Sequence, residues 1–448
     1  MELDMTKGNP TRHILKFMLP LLLGNLFQQF YNMVDSIVVG KYVGANALGA
    51  VGTCGSMNFL LFSLSMGLAS GIGVVISQYY GGKRYEEIRF GIANSVYVLG
   101  VVSLVVSILG VLLARPILQM MQVPAETILP DATIYLQITS GGMLGVAFYN
   151  GVSSILRAIG DSRTPFIFLI LSCFINIGLD LAFVILFHMG VMGVALATVI
   201  AQWISAITCI LYAYWKSSYF HLKRSDWVYR GKIIASFFRL GIPIAMQSSM
   251  IAISCVALQR VVNSFGEVIM ATFTITSRVE MIIQQPFSSL SMALTTYTGQ
   301  NVGAGNKERV REGMKKATIM TLIFSVVMLV VMQVFGKSIA GIFVSNREVI
   351  ALGGKTLGIT SLFYFALGMI YAPRAIMNGY GDARFALVNG ITEVACRIGL
   401  SWAFTSIPAI GYWGIWYTTC GTWVITAIAC MWRYFYVIRK PGDQDKTL

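Results

Sequence analysis

The chain has 448 residues, of which 56% are hydrophobic and 12% are charged, roughly half the charged share of a typical soluble domain. That excludes an ordinary water-soluble enzyme. The formal charge of +14 would suit a nucleic-acid binder only if the bases formed an aromatic-interleaved surface, and no such domain is present.

Apolar windows recur along the whole length, and about 20 helical residues cross the hydrocarbon core of a bilayer. The windows predict twelve spans: 14–39, 47–77, 88–113, 131–157, 165–187, 191–215, 234–264, 268–298, 311–335, 349–376, 384–406 and 411–437. The polar start, Met1 to Arg12, lacks the short apolar region and cleavage site of a signal peptide, so the first span is expected to persist. His13, His188 and His221 sit at segment ends, which leaves neither a zinc site nor a histidine proton relay within the membrane. The seven cysteines show no Cys-x-x-Cys spacing and read as small buried hydrophobes.

On this map most of the 33 Lys and Arg residues fall at the two termini and in the even-to-odd loops. Lys41, Arg115, Lys337, Arg347 and Lys355 lie on the opposite side, and Arg260, Arg278 and Arg397 lie inside spans. The bias predicts a multi-pass plasma-membrane protein with both termini cytoplasmic. Its basic surplus faces anionic lipid, so the bilayer is the expected partner and nucleic acid is not.

The two halves repeat at a near-constant offset. "SQYYGGKRYEEIRFG" (77–91) pairs with "GQNVGAGNKERVREG" (299–313), "GDSR" (160–163) with "GDAR" (381–384), and Leu19-Pro20 with Ile242-Pro243. An even number of spans separates the copies, so the repeats are parallel and related by an axis along the membrane normal. The expected fold is an all-α integral membrane protein of twelve transmembrane helices in two pseudo-symmetric six-helix bundles. An N-terminal bundle occupies 1–215, a cytoplasmic linker 216–233, a C-terminal bundle 234–440 and a cytoplasmic tail 441–448. A cavity between such bundles is the usual setting for alternating access.

Ionisable groups inside spans are costly and mark function. Asp35, Asp180, Glu280 and Glu393 are the acids well inside. Counting along the spans at about 1.5 Å per residue places Asp35, Asp180 and Thr198 in one layer near the external edge. Asn176 stands four residues before Asp180, on the same helical face. These four are the candidate cation-coupling residues: hard oxygen ligands suited to a proton or Na⁺, with no soft ligand for a transition metal. Two neighbouring carboxylates in a dry site cannot both ionise cheaply, which makes a proton exchangeable.

Glu393 and Arg397, spaced i, i+4 with the acid first, predict a structural ion pair. Glu280 shares a face with Gln284, and together with Arg260 these are candidates either for a substrate cavity or for an interhelical polar lock; Arg260 lies near a span end, where its side chain can snorkel. "GLASG" (67–71) and "GGMLG" (141–145) carry small-x-x-x-small spacing and are read as helix packing. Pro20, Pro243 and Pro373 permit kinks, and Pro20 shares its helix with Asp35, which links bending to protonation. No G-x-x-x-x-G-K-[ST] is present, so no nucleotide is expected.

With "LPLLLGNLFQQFYNMVDSIVVGKYVG" (19–44), "RAIGDSRTP" (157–165), "NIGLD" (176–180) and "GQNVGAG" (299–305) in view, the chain resembles the multidrug and toxic compound extrusion (MATE) family, and within it the bacterial DinF-like and MepA-like or YoeA-like branch. The resemblance covers nearly the whole chain. It implies a secondary antiporter exporting small organic, often cationic and lipophilic, compounds in exchange for H⁺ or Na⁺. It implies no enzyme activity and no cofactor. Carried over by position, it puts the cation site on Asp35, Asn176, Asp180 and Thr198 and the kinkable first helix at Pro20. Spans 234–264 and 349–376 lack the acids of the NorM-like branch, which sets H⁺ ahead of Na⁺. Function as a monomer is expected. Two rivals stand beside this reading: a lipid-linked oligosaccharide flippase of related architecture, which needs a cationic cavity, and an intramembrane enzyme, which needs a nucleophile and base or a metal.

Overall fold

The computed structural model describes residues 3–121 and 123–439; the expected tail at 441–448 and residue 440 lie outside the described residues. Fourteen α-helices make up most of the described chain. The first seven are α1 (Pro10–Val38), α2 (Ala45–Gly81), α3 (Tyr85–Met120), α4 (Leu129–Gly141), α5 (Met143–Ala158), α6 (Arg163–Leu181) and α7 (Gly190–Lys216). The second seven are α8 (Gly231–Asn263), α9 (Glu267–Gly303), α10 (Lys307–Phe343), α11 (Arg347–Ser361), α12 (Tyr364–Tyr380), α13 (Ala383–Thr405) and α14 (Gly414–Arg439).

The halves share one packing plan. Helix α2 packs on α5, α3 on α4 and α6 on α7, as α9 packs on α12, α10 on α11 and α13 on α14. The fourth and tenth spans are each broken: α4 gives way to α5 at Gly142, and α11 and α12 meet at a 49° bend. Counting each broken pair as one crossing recovers the twelve predicted spans. Among the described residues seven helices are long and apolar enough by themselves to cross a membrane, and the bent pair α11–α12 adds an eighth. Of the other four spans, α1, α9 and α13 carry polar and ionisable groups, among them Asp35, Glu280 and Glu393 with Arg397, and the fourth is divided between α4 and α5, of 13 and 16 residues.

Packing follows the inverted logic of a protein dissolved in lipid. On α3, Val101, Leu104, Ile108 and Leu112 are exposed, while Ser103, Ser107 and Gly110 are buried. On α10, Leu322, Val326 and Val330 are exposed, while Thr321 and Ser325 are buried. Large apolar side chains gain nothing by leaving hydrocarbon, so small residues take the helix interfaces. Gly67 and Gly71 show the same effect: a Cβ at Gly67 would stand 2.6 Å from the Ala245 backbone nitrogen, and one at Gly71 would stand 2.7 Å from that of Gly241. The "GLASG" stretch is therefore a seat for α8. Gly142 and Gly145 likewise admit α7, whose Val199 and Trp203 lie where their Cβ atoms would be.

Pro20, Pro243 and Pro373 lie inside α1, α8 and α12, as the sequence reading placed them. A proline in the interior of a membrane helix is tolerated because neighbouring groups re-satisfy the freed carbonyl. The chain divides into two compact units whose boundary lies beyond 216–233. One holds residues 3–5 and Leu19–Ala245, the other Thr6–Met18 and residues 246–439. The boundary leaves the linker because the linker is itself packed: Asn94 Nδ2 donates to Val228 O at 3.1 Å, Arg230 N donates to Asn94 Oδ1 at 3.0 Å, and Tyr97 OH donates to Trp227 O at 2.9 Å. Finally, Cys255 is exposed, whereas Cys54, Cys173, Cys209, Cys420 and Cys430 are buried.

Candidate functional site

Within the first unit, α1 presents Gln28, Tyr31 and Asp35 at spacings of three and four, hence on one face. Helix α6 presents Asn176 and Asp180, and α7 presents Thr198. These groups meet. The Asp35 and Asp180 carboxyls come within hydrogen-bond reach of each other. With the Asn176 amide turned so that both its atoms are paired, Nδ2 donates to Asp180 Oδ2 at 3.0 Å and Oδ1 accepts from Thr198 N at 3.1 Å. The Thr198 hydroxyl donates to Val194 O at 3.0 Å and lies within reach of the Tyr31 hydroxyl. Depth along the spans selected Asp35, Asp180 and Thr198, helical spacing added Asn176, and the structure brings the four together.

Both acids precede an abrupt change of helix. Helix α1 passes into a π-helical turn at Val39–Val43 and α6 into another at Ala182–Leu186, and these turns pack on each other and on α7. Single π turns gather at functional sites, because the wide turn re-aims the side chains beside it. Val38, Val39 and Val184 are buried directly beyond the acids, in an apolar cluster with Cys54, Tyr135 and Val194. On the other side, Gln28, Tyr31, Asn176, Thr198 and Gln202 line a narrow cavity of ≈ 10 Å³, room for about one water molecule.

Asp180 is 1% exposed, and Asp180 Oδ1 and Asp35 Oδ1 are buried without a partner. Orphaned buried carboxylate oxygens are expensive, and two carboxyls can share a hydrogen bond only when one carries a proton. The arrangement is therefore suited to a single positive charge, delivered as a proton between the acids or as a small hard cation among the oxygens.

Tyr31 is the member that sequence reasoning missed. Its signal was present, since it stands one turn before Asp35 on the same face.

In the second unit, Glu280 is buried on α9 within hydrogen-bond reach of the Thr360 hydroxyl, and the charge acting on it is that of Arg397 on α13. Arg260 is exposed in the last turns of α8 and is not part of that group. Gln284 Oε1 accepts from Tyr371 OH at 3.2 Å, which makes it a lock between α9 and α12. The predicted Glu393–Arg397 ion pair does not form. Asn389, one turn earlier on the same face, donates to Glu393 Oε1 at 3.2 Å and in turn accepts from Cys430 Sγ at 3.0 Å. Arg397 Nε is buried and unpartnered. The intrahelical spacing lost to a closer amide.

Comparison with known proteins agrees with this architecture. The MatE family model matches residues 20–182 and 243–403, one stretch in each repeat. The chain is 29% identical over 431 residues to the probable multidrug resistance protein YpnP of Bacillus subtilis, covering 92% of this chain and 96% of that one. It is 22% identical over 451 residues to the multidrug export protein MepA of Staphylococcus saprophyticus, covering 98% and 97%. Among solved structures it matches an outward-facing multidrug resistance MATE transporter of the MOP superfamily with a TM-score of 0.90 at 22% identity, over 98% of each chain.

Proposed function

Since the chain belongs to the MatE family, whose members are membrane transporters and not enzymes, we propose that it exports small organic compounds in exchange for H⁺ or Na⁺ bound at Asp35 and Asp180. One observation carries the reading: two facing carboxyls whose outer oxygens are buried and unpartnered, with no base among the groups acting on either. A membrane protein keeps such a pair at a cost of roughly 2.5–3.5 kcal/mol per acid on insertion scales, which an ion that comes and goes offsets only while bound. Asn176 orients Asp180, and Tyr31 and Thr198 tie α1 to α7 beside it.

H⁺ stands ahead of Na⁺ because a single proton joins the two carboxyls without further ligands. Binding of the cation closes the Asp35–Asp180 contact and draws α1 to α6; its release leaves two charges that repel and favours the other arrangement. Cargo and cation then compete by linkage, each weakening the other by the same factor. The cargo is a small organic molecule, as the names of the relatives suggest. Both termini are assigned to the cytoplasm from the distribution of bases.

The test is transport in proteoliposomes with independently imposed proton and sodium gradients. Efflux of an organic cation such as ethidium should follow the proton gradient and fail in Asp180→Asn. Equal transport with neither gradient, or an unimpaired Asp180→Asn, would overturn the proposal. The flippase alternative needs Arg260, Arg278 and Arg397 to line one cavity, and Arg260 is exposed in the last turns of α8 whereas Arg397 Nε is buried.

A further inference from the structure

The turns that end α2 and α9 are built alike, and one carries a socket that the other fills. In the register of "SQYYGGKRYEEIRFG" with "GQNVGAGNKERVREG", Lys83 and Gly305 take left-handed φ values of 56° and 75°. The next residues, Arg84 and Asn306, adopt φ, ψ values of −85°, 69° and −88°, 70°. Arg84 N donates to Tyr79 O at 2.9 Å, as Asn306 N donates to Asn301 O at 2.8 Å. The linker entering α8 lies against the first turn, and the segment entering α1 lies against the second. The register of Leu19-Pro20 with Ile242-Pro243 pairs Gly8 with Gly231 and His13 with Ser236.

Where these segments meet their turns, the side chains differ. On the second turn Arg309 Nη1 donates to Gly8 O at 3.0 Å and Arg309 Nε to Asn301 Oδ1 at 3.1 Å. The His13 ring closes the same corner, its Nε2 only 2.7 Å from where a Cβ on Gly8 would stand. On the first turn Glu87 replaces Arg309, Tyr79 replaces Asn301 and Ser236 replaces His13. Ser236 turns its hydroxyl back to Lys232 O at 2.9 Å, and a Cβ on Gly231 would meet, beyond its chain neighbours, only the Tyr229 ring within 4 Å. What remains is a cavity of ≈ 520 Å³ lined by Tyr79, Glu87, Arg230, Gly231, Lys232 and Ser236, a volume that suits a small organic group.

The charges around this cavity are held apart from each other. The Arg230 guanidinium lies over the Phe90 ring, 3.4 Å from its centroid, and Arg230 N donates to Asn94 Oδ1 at 3.0 Å. Stacking fixes the guanidinium plane and leaves its N–H edge for a partner. Among the described residues no ion pair joins Glu87 to Arg230 or Lys232. Two bases from the start of α8 and one acid from α3 suit a ligand that carries a phosphate and an ammonium group. The guanidinium and the lysine take the phosphate, and Glu87 takes the ammonium beside the Tyr79 ring. The bilayer supplies such a ligand at this level: Trp227, Val228 and Tyr229, which lead into Arg230, are exposed, and aromatic side chains beside bases mark the depth of lipid headgroups.

We propose that the cavity binds the headgroup of an aminophospholipid of the phosphatidylethanolamine type, with its phosphate on Arg230 and Lys232 and its ammonium on Glu87. The site is separate from Asp35 and Asp180 and does not depend on which ion is exchanged there.

The experiment offers phosphatidylethanolamine, phosphatidylglycerol or soluble glycerophosphoethanolamine to the delipidated full chain in detergent and reads retained molecules by native mass spectrometry. Wild type is expected to hold one phosphatidylethanolamine per chain in preference to phosphatidylglycerol. Arg230→Gln should lower that retention at least about tenfold, the worth of one charge-assisted hydrogen bond, and Glu87→Gln should abolish the preference for the ethanolamine headgroup. Glu87→Arg with Ser236→His, which restores the side chains of the filled turn, should release the lipid, whereas Lys315→Gln, at an exposed base elsewhere, should keep it. Equal retention of phosphatidylglycerol by wild type, or a preference that survives Glu87→Gln, overturns the proposal. So does displacement by glycerophosphoethanolamine at equal concentration, which would assign the cavity to a soluble ligand, or a loss as large in Lys315→Gln as in Arg230→Gln. Should Arg230→Gln not fold, Lys232→Gln and Glu87→Gln decide by the same readings.

Discussion

The carboxyl groups of Asp35 on α1 and Asp180 on α6 lie within hydrogen-bond reach of each other, and each keeps one oxygen buried without a partner. Contact between two acids is favourable in one state of charge and repulsive in the other. That makes it a contact with two settings.

Asp180→Asn fixes the setting. An amide donates to Asp35 as a protonated carboxyl does and removes a charge from the membrane interior. We expect gradient-driven efflux to fall at least about tenfold, equivalent to about 1.4 kcal/mol, with thermal unfolding in detergent unchanged or raised. Lowered stability together with retained efflux would contradict the assignment.

Asn176→Ala removes the donor on Asp180 Oδ2 and the acceptor on Thr198 N. Loss of a hydrogen bond to a buried charged group costs roughly 1–3 kcal/mol, so the apparent affinity for the coupling cation should shift by about 5- to 150-fold. Cation dependence of efflux in proteoliposomes reads this directly. A shift below about twofold, the scatter of such interaction energies, would mean that the amide does not orient the site.

Gly71→Ala tests the seat of α8. The added methyl would stand 2.7 Å from Gly241 N and 2.9 Å from Phe237 O, both backbone atoms that cannot rotate away. Overpacking of this kind costs typically 1–3 kcal/mol. The unfolding temperature should drop, whereas Gly52→Ala, with nothing within 4 Å of the new methyl, should leave it in place.

Asn94→Ala releases the linker. Its amide holds Val228 O and the Arg230 N–H together, at 3.1 and 3.0 Å. Limited trypsin digestion should then cut after Lys223 and Arg224 several-fold faster than in wild type, since proteolysis follows the population of locally opened chain. An unchanged digestion rate would show that the Tyr97–Trp227 hydrogen bond and the packing of the Tyr219 ring against Tyr80 and Tyr85 suffice.

The spans and the cation cluster were legible because both depend on short-range rules. Hydropathy marks a helix wherever lipid is the solvent, and a spacing of four puts Asn176 and Asp180 on one face whatever surrounds them. The ion pair of Glu393 and Arg397 failed under the same rule, because Asn389 on that face competes for Glu393. At the break near Gly142, Val199 of α7 lies where a Cβ would be. The small-residue spacing marks a close approach there but not which distant helix makes it.

The π turns after Asp35 and Asp180 have a mechanical corollary. Each accommodates a residue that a regular α-helix would place differently; regularising either turn rotates the chain beyond it by about 100° and lengthens the helix by about 1.5 Å per residue taken up. A crank of that size can be driven by a rearrangement of carbonyl pairing alone. Torque would then be generated inside the two acid-bearing rods themselves, next to the ion, with no need for a flexible joint between them.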